Sequence, residues 1–231
     1  MNSKYKSIEQ YGSKYVKDYL SLNKEELLSD PYKAFLFFLS KSFNRGRNDE
    51  ISDRFYNRTV AALDKVGSFN NILSNEGGLD SLLVDNQVNN HKDRDMVIDA
   101  IRYIKGLEGY NIVSHAVEQI KAKHLQSAHR EIDDIKQIGH KLASLFIRDV
   151  VFLFKLESYL SPEDQNYCQP IDTWVRQIVS KLEITVNGQR DEDVAVAIVK
   201  KCTEVGVSSL LFNAGAWLVG KDSFSLLFDR L

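Results

Sequence analysis

The spacing of apolar residues is the feature that most restricts what this 231-residue chain can fold into. In the stretch 142–154, for example, apolar side chains recur every three or four positions, which is the repeat of one face of an α-helix. The chain contains three prolines, and each stands where a helix is predicted to begin. Asp30 before Pro31 and Ser161 before Pro162 are residue types that cap helix N-termini. We therefore predict an all-α protein of roughly ten short helices.

The composition is that of an ordinary globular protein and excludes several classes of function. Hydrophobic residues make up 43% of the chain, and 30 Lys and Arg against 32 Asp and Glu give a net charge of −2. A net charge this close to zero argues against nucleic-acid binding by bulk electrostatic attraction. No apolar stretch is long enough to span a bilayer, so we expect no membrane association. The first residues lack the pattern of a signal peptide, which predicts an intracellular protein that is not secreted.

The segment 131–144 has an unusual predicted turn. A short amphipathic helix is predicted to end at Ile138-Gly139, and a second helix to start at once with Lys141. A tight turn of this kind directs several backbone N–H groups of the second helix toward one point. Such a point can bind an anion, and a DNA phosphate fits it without a high net positive charge.

Two short motifs carry a resemblance to a known family. Gly139, Lys141 and Ala143 in the predicted turn, followed by Pro170 and Asp172, resemble the motifs of the helix-hairpin-helix DNA glycosylase superfamily. That superfamily includes the 8-oxoguanine glycosylases and the endonuclease III relatives. In it, the hairpin supplies a catalytic lysine and the Pro-hydrophobic-Asp motif supplies a catalytic aspartate. The resemblance assigns these roles to Lys141 and Asp172.

The resemblance also implies an architecture. It predicts the helix-hairpin-helix glycosylase fold, with two helical lobes and the active site in the cleft between them. A helical barrel lobe over 31–156 would end in the hairpin, and 1–30 plus 157–231 would form the second lobe. Lys141 and Asp172 would then face each other across the cleft.

The sequence departs from the family pattern at several positions. Gln137 stands where the hairpin usually has its first glycine, and Trp174 replaces a histidine of the endonuclease III relatives. An inserted short helix is predicted within 157–168. Cys168 and Cys202 are the two cysteines of the chain, so the iron–sulfur cluster of many members cannot form. Cluster-free members of the 8-oxoguanine branch are therefore the nearest in pattern.

Lys141 suits the chemistry of such an enzyme because a lysine is a nucleophile only when it is neutral. The predicted position in the first turn of a helix, near the positive end of the helix dipole, favours the neutral amine. The resemblance implies that Lys141 forms a Schiff base at C1′ and that Asp172 stabilises positive charge on the sugar. From the residues alone, a solvated lysine and a helix-capping aspartate remain open alternatives.

Further residues are candidates for DNA contact or for the base pocket. The DNA-contacting candidates are Asn44, Arg45 and Arg47 in one loop and Gln137, Gly139 and His140 in the hairpin. The loop could equally be an ordinary helix connection, and His140 a helix cap. Trp174, Phe212 and Trp217 are candidates for stacking on a flipped base, although aromatic residues at this spacing are more often core. The other histidines show no metal-ligand pattern, so we predict no transition-metal site; the family implies only a monovalent cation at the hairpin.

Together these features predict a bifunctional DNA N-glycosylase and AP lyase of base excision repair. Its partner would be double-stranded DNA containing an oxidised base, with 8-oxoguanine favoured over an oxidised pyrimidine. We expect a monomer that acts at the nucleoid or in the nucleus. The alternative is a non-catalytic helix-hairpin-helix DNA-binding module, and a protein-interaction domain without DNA affinity is a third possibility.

Overall fold

The computed structural model describes residues 2–46 and 48–228. Helices make up 75% of the chain and no strand occurs in these ranges, which confirms the all-α prediction. The α-helices are α1 (Asn2–Tyr19), α2 (Lys24–Ser29), α3 (Pro31–Ser42), α4 (Asp49–Asp64), α5 (Phe69–Ser74), α6 (Leu79–Asp85), α7 (His91–Lys105), α8 (Ile112–Lys121), α9 (Leu125–Asp133), α10 (His140–Phe154), α11 (Pro162–Asn166), α12 (Thr173–Lys181), α13 (Asp191–Val205) and α14 (Ser209–Phe228). The described residues thus form more helices than predicted, because α2, α5, α6 and α11 have only five to seven residues each.

Side-chain caps set two of the three helix starts that the prolines predicted. No helix begins at Pro170, because the chain stays non-helical until Asp172 caps α12. Pro31 is the first residue of α3, and Asp30 accepts a hydrogen bond from the backbone N–H of Tyr32 at 2.9 Å. Pro162 is the first residue of α11, and Ser161 caps that helix in a capping box. The inserted helix predicted within 157–168 is therefore present as α11.

The chain divides into two compact units. The middle unit comprises Asn23–Phe146, and the terminal unit combines Met1–Leu22 with Ile147–Leu231. In the middle unit, the apolar face of α3 is buried, and Phe38 contacts the ring edge of Phe146 at 5.1 Å between centroids.

These boundaries differ from the predicted lobe boundaries at 31 and 156. The helix α2 packs against α3 and α8, so it belongs to the middle unit. The second boundary falls within α10, since residues from Ile147 onward belong to the terminal unit. The reason is the burial of Arg148 and Asp149, whose partners lie in that unit.

In the terminal unit, α1 and α14 pack at backbone contact distance. A Cβ atom on Gly12 would lie 1.9 Å from the carbonyl oxygen of Leu211, and one on Gly215 would lie 1.8 Å from that of Ile8. These separations are far inside van der Waals contact, so neither position has room for a side chain. The two glycines therefore fix how closely the two helices approach.

A buried polar network joins three helices of the terminal unit. Arg148 and Asp149 of α10 are almost completely buried and form an ion pair at 3.0 Å. The hydroxyl of Tyr15 donates to Asp149 Oδ2 at 2.9 Å, and Arg148 Nη1 donates to Asn213 Oδ1 at 2.9 Å. Burial and the neighbouring carboxylate raise the pKa of Tyr15, so its hydroxyl remains a donor at neutral pH.

The network extends to the segment that precedes α12. The side-chain amide of Asn213 donates to the carbonyl oxygen of Pro170 at 3.2 Å. Pro170 lies two residues before Asp172, which is the N-cap of α12. The bond therefore fixes the short segment that leads into this helix. The position of Asp172 in the terminal unit thus depends on Arg148 through Asn213.

We predict that Gly215→Ala lowers the free energy of unfolding, because the added methyl group overlaps the carbonyl oxygen of Ile8. Overpacking costs about 1–3 kcal/mol, more than the roughly 1 kcal/mol that alanine gains over glycine within a helix. Chemical denaturation measures the difference. Gly77→Ala is the matched control, since a Cβ there meets no atom within 4 Å. Wild-type stability in Gly215→Ala would contradict the close approach of α1 and α14.

We also predict that Arg148→Met destabilises the protein by about 3–5 kcal/mol, because it leaves the buried Asp149 carboxylate without its cation. Arg190→Met is the control, since the Arg190 side chain is 78% exposed and its pairing with Asp193 lies at the surface. Loss of such a solvent-screened surface pair has little effect on stability. Similar denaturation midpoints for the two variants would show that the buried network contributes no more than a surface pair.

Candidate functional site

The hairpin joins α9 to α10 through residues 134–139. The helix α9 ends at Asp133, earlier than predicted, and α10 begins at His140, one residue before the predicted Lys141. Ile135 and Ile138 are buried and anchor the turn to the middle unit. The backbone N–H of Lys136 donates to a carboxylate oxygen of Asp99 at 2.9 Å, which holds the outer part of the turn.

Gln137 has a backbone conformation that favours glycine. Its φ of 65° lies in the left-handed region, which costs a residue with a side chain about 1–2 kcal/mol. The side-chain oxygen of Gln137 accepts a hydrogen bond from Arg45 Nη2 at 3.0 Å. That bond offsets part of the cost and links the turn to the loop that follows α3.

Gly139 is not required by the fold. Its φ is not positive, and a Cβ atom built on it would meet no atom within 4 Å. Gly139 is also exposed. The open space beside its backbone can therefore admit a ligand at close range.

Lys141 lies in the first turn of α10 and is partly buried. Its Nζ donates a hydrogen bond to the backbone carbonyl oxygen of Asn44 at 3.0 Å. The structure thus brings together two segments that the sequence singled out separately, namely the hairpin and the loop after α3. Asn44 contributes to this contact through its backbone.

Arg45 is held by a buried acid. Its Nη1 lies 3.2 Å from Asp93 Oδ1, and the Asp93 side chain is fully buried. Together with the bond to Gln137, this pairing gives Arg45 the role of tying the loop to α7 and to the hairpin. Sequence reasoning missed Asp93, although an acid on the same helix face as the buried Met96 and Val97 is a signal of a buried partner.

His140 and Arg47 are the remaining residues that the sequence predicted to contact DNA. The ring of His140 lies against that of His129, with the centroids 4.6 Å apart. Arg47 lies outside the described residues.

Asp172 caps α12 in the terminal unit, which is the alternative role that the sequence left open. Its Oδ1 accepts a hydrogen bond from the backbone N–H of Val175 at 2.9 Å. The carboxylate is partly exposed. Capping fixes the orientation of the group through one oxygen, so the role of a cap and that of an electrostatic stabiliser are compatible.

The three aromatic candidates for a base pocket separate into two kinds. Phe212 is completely buried and stacks on Tyr5 at 5.5 Å between centroids, so it is a core residue and is removed from the candidate pocket. Trp217 is partly exposed and contacts Tyr15 and Tyr19 edge-on. Trp174 is also partly exposed.

Cysteine chemistry offers no competing nucleophile. Cys168 and Cys202 are both buried free thiols. Burial raises the pKa of both, that of Cys202 to about 12, so neither forms a thiolate at neutral pH.

One group of side chains in the described residues has the composition of a metal site. His129, Asp133 and His140 offer ligand atoms that all lie within 4.8 Å of one another. This group borders the hairpin turn and was not predicted, because its members meet only when α9 and α10 pack together.

Comparison with known proteins gives no match: no family model, no curated protein and no solved structure corresponds to this chain. Among the described helices, none combines the length and apolar character needed to cross a membrane. The geometry of the hairpin and the sequence motifs are therefore the basis for proposing a function.

Proposed function

We propose that the protein is a bifunctional DNA N-glycosylase and AP lyase that removes an oxidised base from double-stranded DNA, with Lys141 as its nucleophile. The helix-hairpin-helix glycosylase fold is part of this proposal. The observation that carries it is the position of Lys141, whose amine lies at the start of α10 against the carbonyl of Asn44. The base that this enzyme removes would be an oxidised purine such as 8-oxoguanine, which the sequence motifs favour.

The reaction requires Lys141 in its neutral form. The neutral Nζ forms a bond to C1′ as the glycosidic bond breaks, and the base leaves with a proton that Nζ gives up. Opening of the sugar ring gives a Schiff base. Loss of a proton from C2′ then breaks the bond between C3′ and its phosphate oxygen, which is the β-elimination of an AP lyase.

The hydrogen bond to Asn44 has a consequence for this reaction. A carbonyl that accepts from Nζ stabilises the protonated lysine, whereas partial burial and the positive end of the α10 dipole favour the neutral amine. This bond ties the amine of Lys141 to the loop after α3. In the proposed mechanism, DNA that displaces this loop releases Nζ and allows it to lose its proton.

The proposed DNA contact is the exposed side of the hairpin. Gly139 leaves room there for a phosphate to approach the backbone at the start of α10. Arg45 and Gln137 shape this surface through their mutual hydrogen bond. The charge of Arg45 is balanced by Asp93, so phosphate binding in this proposal depends mainly on backbone N–H groups.

Asp172 has the proposed role of stabilising positive charge on the sugar. Its carboxylate is oriented by the Val175 N–H, and the network of Arg148 and Asn213 fixes the segment that carries it. A carboxylate whose orientation is set before reaction can stabilise a developing cation without reorganisation. Trp174 and Trp217, which are partly exposed, remain the candidates for stacking on the flipped base.

We predict that wild-type protein forms a covalent adduct with duplex DNA containing 8-oxoguanine or an abasic site when borohydride reduces the Schiff base. Lys141→Gln is expected to abolish the adduct, because an amide cannot form an imine. Gel electrophoresis of the reduced mixtures measures the fraction of DNA that is attached to protein.

Lys136→Gln is the matched control, since Lys136 is an exposed lysine of the same turn. It should leave adduct formation unchanged. An adduct that persists in Lys141→Gln would remove Lys141 from the proposed role.

A second prediction separates the enzyme from a binding module. Gly139→Ala should change the free energy of unfolding by no more than about 0.5 kcal/mol, as for a surface site. It should weaken duplex binding by roughly tenfold or more, since a lost hydrogen bond to a charged group costs about 1.5–3 kcal/mol. Fluorescence anisotropy with labelled duplex measures the affinity.

The duplex affinity of Gly139→Ala and the covalent adduct of the wild type together distinguish an enzyme from a binding module. If this variant weakens binding while wild type forms no adduct on either lesion, the non-catalytic DNA-binding module is the correct function. Wild-type affinity in Gly139→Ala would contradict DNA contact at the hairpin altogether.

A further inference from the structure

Two histidines and an aspartate meet at the ends of the two hairpin helices. His129 and Asp133 are one turn apart on α9, and His140 is the first residue of α10. The rings of His129 and His140 lie with their centroids 4.6 Å apart. One nitrogen of each ring and one carboxylate oxygen lie within 4.8 Å of one another.

His129 has one partner of the kind that metal ligands have, and its ring also makes a hydrogen bond with the backbone of His140, which a bound ion would replace. Its side chain is buried, and its Nε2 lies 3.0 Å from the hydroxyl oxygen of Ser144. Metal-binding histidines commonly make such a bond through the ring nitrogen that does not bind the ion, which fixes the tautomer.

The charge at this position also favours a cation. Asp133 is the last residue of α9, so its carboxylate adds to the negative end of that helix dipole. The positive end of α10 at His140 acts in the opposite direction. The full negative charge of a carboxylate is larger than the partial charge of about +0.5 at a helix N-terminus.

We propose that His129, Asp133 and His140 bind one divalent transition-metal ion, for which Zn²⁺ is the preferred species. Two imidazoles and one carboxylate form a common zinc ligand set, in which a water molecule completes a four-coordinate site. The ion would join α9 to α10 and stabilise the hairpin. This site is separate from the proposed reaction of Lys141 and does not depend on it.

The test uses the untagged full chain, freed of metal by a chelator and then titrated with Zn²⁺ in a calorimeter. We expect one ion per chain. Ser144→Ala should weaken binding by about tenfold, as loss of an outer partner of a ligand does. His140→Gln and Asp133→Asn should weaken it further, because each removes a ligand. Circular dichroism confirms that each variant is folded.

Two controls make the result specific. His124 is an exposed histidine directly before α9, the helix that carries His129 and Asp133. The variant His124→Gln should bind Zn²⁺ like wild type. Lys141→Gln should also keep the full affinity, so a failure of the proposed glycosylase reaction and a failure of this site are distinguishable. Co²⁺ should give the visible spectrum of a low-coordinate site in wild type and lose it in His140→Gln.

The proposal is overturned if wild type binds Zn²⁺ no more tightly than His140→Gln does. It is likewise overturned if His124→Gln weakens binding as much as His140→Gln. In either case the three residues form only a hydrogen-bonded contact between α9 and α10.

Discussion

The structure of the terminal unit depends on the buried ion pair of Arg148 and Asp149. Both side chains are nearly inaccessible to water, so each charge requires partners within the protein. Tyr15 and Asn213 are those partners, and they belong to α1 and α14. The requirement to pair these charges therefore fixes α1, the end of α10 and α14 together, and the close approach at Gly12 and Gly215 completes their packing. Through Asn213 and Pro170 it also fixes the start of α12, where Asp172 lies.

A second buried acid has a similar function in the middle unit. Asp93 holds Arg45, and Arg45 holds Gln137, so the loop after α3 and the hairpin turn are tied to α7. The same loop supplies the carbonyl that accepts from Lys141. Each proposed catalytic residue is thus carried by a segment that buried charges hold in place. Such support keeps a reactive group in a defined position while leaving its own chemistry to local contacts.

Local signals in the sequence predicted the helices well, whereas long-range partners were not predictable. The caps at Asp30, Ser161 and Asp172 act within a few residues of themselves, and all three begin helices as expected. The burial of Asp93 and the meeting of His129 with His140 depend on contacts between different helices, which periodicity does not encode. The place of Gln137 in the hairpin was predictable from the motif, but its bond to Arg45 was not. Phe212 shows the limit of assigning aromatic residues to a pocket, since helical spacing alone cannot separate the core from a binding surface.

The central claim is that the amine of Lys141 becomes the covalent attachment point for DNA. The most direct measurement is mass spectrometry of the wild-type adduct after borohydride reduction, nuclease treatment and protease digestion. We predict a deoxyribose remnant on the peptide that contains Lys141 and on no other lysine. A remnant on Lys136 or on any other amine would contradict it, because Lys141 would then not be the attachment point.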